Sequence, residues 1–414
     1  MDFFQCMSLT KAQSLIIDSL SKMIVKSEKV DLIHALGRVA AKDVIAKEDL
    51  PPFSRSTVDG FAVRSMDTFG ANEGVPALFT VTGEVAMGKE AAMELLSGHA
   101  VAIPTGGMLP AGADAVVMLE YTEQHDSNEL FVLKVAAPGE NVVAKGEDIE
   151  SGTVIVARGQ KIAPQHIGAL AACGCVEISV CKRVEVAIIS TGDELVDIDE
   201  PLEFGQIRDV NSYALGAMLT EAGCIVKPMG IVKDNFEKFF AVLENAVAAC
   251  QFVIISGGSS VGARDYTVKA IEALGTPGVL IHGLAIKPGK PTIYGMIGKV
   301  PVFGLPGHPV AAMTVCEQLV MLTVRKLMGQ ENVGEKFSIP AFLNRNVASV
   351  PGRDDFIPVQ LSKEEGQYVA TPILGKSGMI RIIAEADGLI QIPADKSGIY
   401  YGETVEVLLL KKRE

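Results

Sequence analysis

Four acids in this chain follow apolar runs or glycine-rich loops, where carboxylates are free to meet a ligand. Asp193 and Glu194 follow VEVAIIS at 184–190 after two intervening residues, Asp234 follows Ile231 and Val232, and Asp265 stands three residues past Gly262. A pair of carboxylates in such a loop suits a hard, oxygen-liganded cation. The bland alternative is an Asx turn beside a solvated glutamate. The loop GGSSVG at 257–262 supplies Gly257, Gly258 and Gly262 with the hydroxyls of Ser259 and Ser260. It lacks the GK[ST] ending of a P-loop and the GxGxxG dinucleotide spacing. Lying between a strand and a helix, it could cradle an anion on its amides, or be a plain turn. Asp265 could cap that helix or bind Mg²⁺. A basic counterpart lies in AIKPGKP at 285–291, where a Pro-Gly turn separates Lys287 from Lys290. Two ammonium groups on one side of a turn make an oxyanion clamp, or a solvated basic turn. His308, in GLPGHPVAA at 304–312, could touch a ligand, although a lone loop histidine is commonly structural or solvated.

Elements must hold these groups. The runs VEVAIIST and FVIISGG carry no charge between their second residue and the loop, as central parallel strands do when both faces are covered. Ligands of such sheets bind beyond the carboxyl ends of the strands. From Val184 to about Met328 strands and helices alternate, with a capping-type helix start at Asn211, a helix from Phe236 and another after Pro309, which predicts a right-handed βαβ domain. VLIHGLAI, PTIYGMI and PVFGL predict further strands. Leu9 to Val25 has helical spacing, Leu32 to Arg38 a shorter helical piece, and residues 165–173 an apolar helix after the extended stretch 153–164. Between them, up to about Gly152, short strands punctuated by Gly and Pro form a β-rich segment offering Asp59, Thr105, Glu147 and Asp148, each of which also suits a turn. The tail from 332 is short strands and turns, a small all-β module.

The chain has 414 residues, nearly half of them apolar, enough for two to four domains with cores of their own. Its 37 basic and 50 acidic residues give a net charge of −13, which excludes a general nucleic-acid surface. Negative charge on a ligand must be met locally. Seven scattered cysteines, mostly in apolar runs, predict reduced thiols, and the CGC at 173–175 lacks zinc spacing. No run reaches membrane length and the N-terminus lacks signal-peptide order, so a soluble cytoplasmic protein is expected.

The motifs SRSTVDGFAVR, IPTGG, GEDI, STGDEL, SGGSSVGARDYT, IKPGKP and LPGHPVAA occur in this order, followed by PGRDDF at 351–356 and GKSGMI at 375–380. Together they resemble the molybdopterin molybdenumtransferase family (MoeA and the E domain of gephyrin) over essentially the whole chain. The resemblance implies a multidomain α/β plus β protein. Its parts would be a helical and extended segment (1–45 and 151–180), a β-rich lid (46–150), a three-layer α/β molybdopterin-binding domain (181–331) and a C-terminal β-barrel (332–414). It implies elongated homodimers, with the lid of one subunit closing on the α/β and C-terminal regions of the other. The implied reaction consumes adenylylated molybdopterin and molybdate and releases AMP with Mg²⁺ present. Glu194, Asp234 and Asp265, with Asp193, would hold Mg²⁺. Asp193, residues 257–260, Gly262, Pro306 and Pro309 would bind the pterin or its phosphates, and Lys287 and Lys290 would offset phosphate charge. Arg353 and Ser377 would dock molybdate, and Asp59, Thr105 and Asp148 would act from the lid.

The chain also departs from the family. Members often have Asn at the position of His308 and a hydrophobic residue at that of Ser259, and many place His where Gly378 stands. Tungstate, nearly equal in size and charge, stays an alternative to molybdate. Rival readings are a molybdopterin adenylyltransferase, which needs only the α/β domain, and a scaffold of the gephyrin kind. An adenylyltransferase and cofactor-maturation proteins are the expected partners.

Overall fold

The computed structural model of the chain describes residues 6–126, 128–257, 261–332, 334 and 337–410, with the side chains of 126 and 261–265 outside that description. The chain divides into two compact units. One holds the described parts of Met1–Glu28, Gly37–Val39 and Cys181–Glu414, and the other holds Lys29–Leu36 and Ala40–Val180. No described helix is long and apolar enough to cross a membrane.

The second unit is built on a six-stranded sheet in the order Ala115–Met118, Gly60–Val63, His99–Ile103, Ala77–Glu84, Glu129–Val132, Thr122–Asp126. Its strand Gly60–Val63 is buried on both faces: Phe61 and Val63 join a cluster with Phe79 and Leu130, while Ala62 joins Val101, Ile103 and Val116. Alternate side chains of a strand point to opposite faces, so a continuous apolar run here serves two cores. The stretch expected to extend over 153–164 narrows to Val154–Val156, and the helix expected at 165–173 is Pro164–Ala172. Leu32–His34 is one 3-10 turn, shorter than the helical piece its spacing suggests.

In the first unit, helix Leu9–Leu20 precedes a six-stranded sheet ordered Ile225–Val232, Glu185–Thr191, Phe252–Gly257, Val300–Leu305, Ile293–Ile297, Pro277–His282. The first four strands run parallel, and both Glu185–Thr191 and Phe252–Gly257 are buried almost throughout. The last two are antiparallel, which the simple βαβ alternation did not foresee. A tight connection from Ile297 to Val300 explains it, since two residues can join only antiparallel neighbours. Helices Phe236–Ala249 and Val261–Leu274 cover the face of Ala187, Ile189, Val253 and Ile255. Asn211–Glu221, whose Gly216 lies beside Ile188, and Pro309–Val315 touch each other on the opposite face, completing three layers.

The tail closes a five-stranded barrel: Asp354–Glu364, Gln367–Pro372, Ser338–Leu343, Thr404–Leu409 and Gly388–Ile392, the last pairing back with the first. The run VLIHGLAI, expected to form one strand, is divided. Pro277–His282 stays in the α/β sheet, whereas Ile286–Lys287 adds to the barrel, parallel to Asp354 and Asp355. This second pairing ties the Pro-Gly turn to the tail.

Candidate functional site

The parallel strands end together. Thr191 pairs with Val232 on one side and Gly257 on the other, and Ser256 pairs with Leu305. The loops at 192–194, 233–235 and 306–308 therefore share one edge of the sheet. The chain leaves the strand Glu185–Thr191 to one side and returns to the other at Phe252, so a crevice opens between these two strand ends, the usual ligand position in such sheets. Gly257 is obligatory here. Its φ is +113°, and a Cβ would come within 2.1 Å of the Thr191 carbonyl oxygen.

Three of the expected acids meet at this edge. The Asp193 carboxylate accepts from the Asp234 amide at 2.9 Å, and Lys233 Nζ donates to the carbonyls of Asp193 and Leu195 at 2.9 and 2.7 Å. Burial, then the charges of Asp193 and Glu194, push the Asp234 carboxyl above its ordinary range. A carboxyl raised in this way beside two other acids is an oxygen donor whose charge a hard cation would relieve. Among the described residues, no group of three His, Cys, Asp or Glu side chains is arranged as a metal site. The fourth acid, Asp265, lies inside helix Val261–Leu274, where it cannot be the N-cap, and its side chain is outside the description. Gly258, Ser259 and Ser260 also lie outside the described residues, and Gly262 falls in the first turn of that helix.

A second constellation lies between the turn 286–291 and the barrel. A cleft of about 1110 Å³ is lined by Lys287, Lys290, Arg353, Lys376, His308 and Ser377, among other residues, and among the described residues by no Asp or Glu. In a chain of net charge −13, four bases around one cleft are a local reversal that favours an anion. The turn is shaped by Gly289, whose φ is +125° and whose Cβ would collide with Val315 and Ile286. Met7 pairs with Leu284 just before it. His308 Nδ1 lies 2.8 Å from Ser377 Oγ, so this histidine has a hydroxyl partner in the cleft. Its ring also lies 3.7 Å from where a Cβ on Gly378 would stand, which fills the space beside that glycine. Pro306 lines the cleft, while Pro309 opens the first turn of helix Pro309–Val315.

Reading residues singly missed Asp355 and Lys376. Asp355 is only 1 % exposed and accepts from Arg353 Nε at 2.8 Å, with Lys287 Nζ 4.0 Å away. The signal was its place in PGRDDF, where strand alternation turns one of two adjacent acids inward. Lys376 directly precedes Ser377 in a loop that already carried a candidate. The capping start expected at Asn211 works differently. Asp209 accepts from the Ser212 amide at 3.1 Å, while the Asn211 side chain donates to the Gly307 carbonyl at 2.9 Å, tying this helix to the 306–308 loop.

In the other unit, the Asp59 carboxylate accepts from the Thr105 amide at 2.8 Å, so these two expected residues do meet, both exposed. Glu147 caps its own turn through the Ala144 amide at 2.7 Å, leaving neighbouring Asp148 exposed.

Three family models match in order: the MoeA N-terminal region (domains I and II) over residues 7–174, a probable molybdopterin binding domain over 187–326, and the MoeA C-terminal region (domain IV) over 340–410. A putative molybdopterin biosynthesis protein of Methanocaldococcus jannaschii is 36% identical, covering 98% of each chain. A Bacillus subtilis molybdopterin molybdenumtransferase is 33% identical over 94% of this chain and 90% of its own. A solved molybdopterin biosynthesis MoeA protein from Pyrococcus horikoshii superposes with a TM-score of 0.84 at 39% identity, covering 99% of this chain and 100% of that one.

Proposed function

We infer the function from one premise: this chain belongs to the MoeA family of molybdopterin molybdenumtransferases. It is a transferase of molybdenum cofactor biosynthesis. The reaction we propose consumes adenylylated molybdopterin and molybdate, loads molybdenum onto the pterin dithiolene and releases AMP. The observation that carries this reading is the pairing of an acid-rich sheet edge with a base-lined cleft in one compact unit.

Mg²⁺ would be held by Glu194, Asp234 and Asp265 with Asp193, and when bound it would offset charge on the pyrophosphate. Lys233, bonded to two carbonyls of the 193–195 loop, keeps that loop in place. Gly257 lets the crevice close to backbone distance, where a phosphate can approach amides without a side chain between. In the basic cleft, the guanidinium of Arg353 offers molybdate a planar fork of donors. Lys287, Lys290 and Lys376 add point charges, and Ser377 adds a hydroxyl held by His308. The size of the cleft, above the common range for small-molecule pockets, suits a ligand much larger than an oxyanion. The same bases favour tungstate as well as molybdate.

We further propose a cytoplasmic homodimer, in keeping with seven free cysteines, in which Asp59, Thr105 and Asp148 of one subunit serve the cleft of the other. An adenylyltransferase would supply its substrate, and maturation proteins would take its product. Mixing Asp59→Ala and Arg353→Ala dimers would restore activity through mixed dimers if the lid acts across subunits. Unchanged inactivity after subunit exchange would place both residues in one subunit's site.

The direct test is AMP release from adenylylated molybdopterin and Mg²⁺, with and without molybdate and in the absence of ATP. Molybdate-dependent release is expected. A requirement for ATP would indicate the adenylyltransferase reading, and tight binding without release would indicate a scaffold.

A further inference from the structure

We propose that Asp355 is a positioning residue: its buried carboxylate holds Arg353 and Lys287 in the orientation that makes the cleft an oxyanion site. This rests on the reading of that cleft given above. Asp355 Oδ1 accepts from Arg353 Nε at 2.8 Å, and Oδ2 lies 4.0 Å from Lys287 Nζ. Oδ2 is buried and has no hydrogen-bond partner among the described residues. An unpartnered buried carboxylate oxygen is costly, and a fold keeps one where neighbouring charge compensates it. The two flanking cations are that compensation, and both line the cleft.

The arrangement separates the acid from the ligand. A carboxylate in the lining would repel an oxyanion, but Asp355, 1 % exposed, is not part of the lining. It binds Arg353 through Nε, so the terminal nitrogens remain to receive the anion, and a guanidinium so held loses little freedom on binding. The carboxylate also moderates repulsion among clustered bases. A merely structural staple is redundant here, because the backbone ladder already joins Lys287 to Asp355.

The test is calorimetric titration of molybdate into the full-length protein with Mg²⁺. Asp355→Asn keeps the shape, and we expect it to weaken molybdate about tenfold, as loss of one charge-assisted bond does. In turnover it should raise KM for molybdate with kcat held. With Arg353→Ala and Lys287→Ala already in place, Asp355→Asn should change nothing further. Arg353→Lys, which keeps the charge but loses the Nε bond, should match the Asp355→Asn loss, and serves if the latter fails to fold. Native affinity in either variant, additive losses, or a native protein that binds no molybdate would overturn the proposal. Absence of AMP release, with these anion effects present, would refute only the parent reading.

Discussion

The sheet edge and the basic cleft belong to one compact unit and carry opposite charge. At the edge, Asp193, Glu194 and Asp234 sit on loops that follow parallel strands, and burial, then the charges of the other two, raises the Asp234 pKa. In the cleft, Lys287 comes from the short strand Ile286–Lys287 and Lys290, Arg353 and Lys376 from loops, and one buried acid, Asp355, contacts two of these bases. The charge of the first constellation would favour a cation and that of the second an anion. The 306–308 loop belongs to both, following the strand Val300–Leu305 and lining the cleft through Pro306 and His308. In the proposed reaction, a metal-bound pyrophosphate and an oxyanion would be met by charges kept on separate supports.

The largest effect that could break this division comes from the basic side. Arg353→Ala should reduce molybdate-dependent AMP release on the order of 100-fold, the scale of a lost bond to a charged group. Initial rates at varied molybdate would show it, and the Mg²⁺ requirement should stay native. On the acidic side, Asp234→Asn should raise the Mg²⁺ needed for half-maximal rate by about tenfold or more, a scale that even outer partners of metal sites reach. The sign of the pH effect follows from the raised pKa of Asp234. As pH falls through that value the carboxyl takes up a proton, the burial penalty and the repulsion are relieved and stability rises, while a bound Mg²⁺ would lose a ligand. Thermal stabilisation by Mg²⁺ should therefore shrink on acidification in the native protein, and hardly at all in Asp234→Asn.

Gly257→Ala sharpens the comparison through stability. A Cβ against the Thr191 carbonyl should cost about 2 kcal/mol or more in denaturant unfolding, since strain at a positive φ adds to the collision. Molybdate affinity of the folded fraction should be spared. The smallest effect concerns Cys6, which lines the cleft and is partly exposed, while the other six cysteines are buried. Burial pushes the Cys224 thiol up to about 12 and raises Cys316 as well, so mild alkylation should select Cys6. Bound molybdate should slow that reaction, as peptide mass mapping would reveal.

The acidic edge was largely legible in the sequence because its cause is local. A run such as VEVAIIST is buried on both faces wherever it lies, and its polar loop must then emerge at the strand end. The cleft was legible only in pieces. Lys287, Lys290, Arg353 and Ser377 were found by residue type, but what joins them is the pairing of Ile286–Lys287 with Asp354 and Asp355, some seventy residues on. No local pattern announces a two-residue strand that leaves its sheet for a barrel, so VLIHGLAI reads as one strand. Asp355 was hidden for the same reason: beside Asp354 it looks like half of a solvated acidic pair, and only the barrel turns it inward. His308 shows the reverse case, an isolated histidine whose partner Ser377 is 69 residues away.

Parallel Mg²⁺ and molybdate titrations of AMP release in Asp234→Asn and Arg353→Ala test the division of charge most directly. The first variant should shift only the Mg²⁺ curve and the second only the molybdate curve. If each variant moved both curves together, the edge and the cleft would be a single site and the two charges would not act separately.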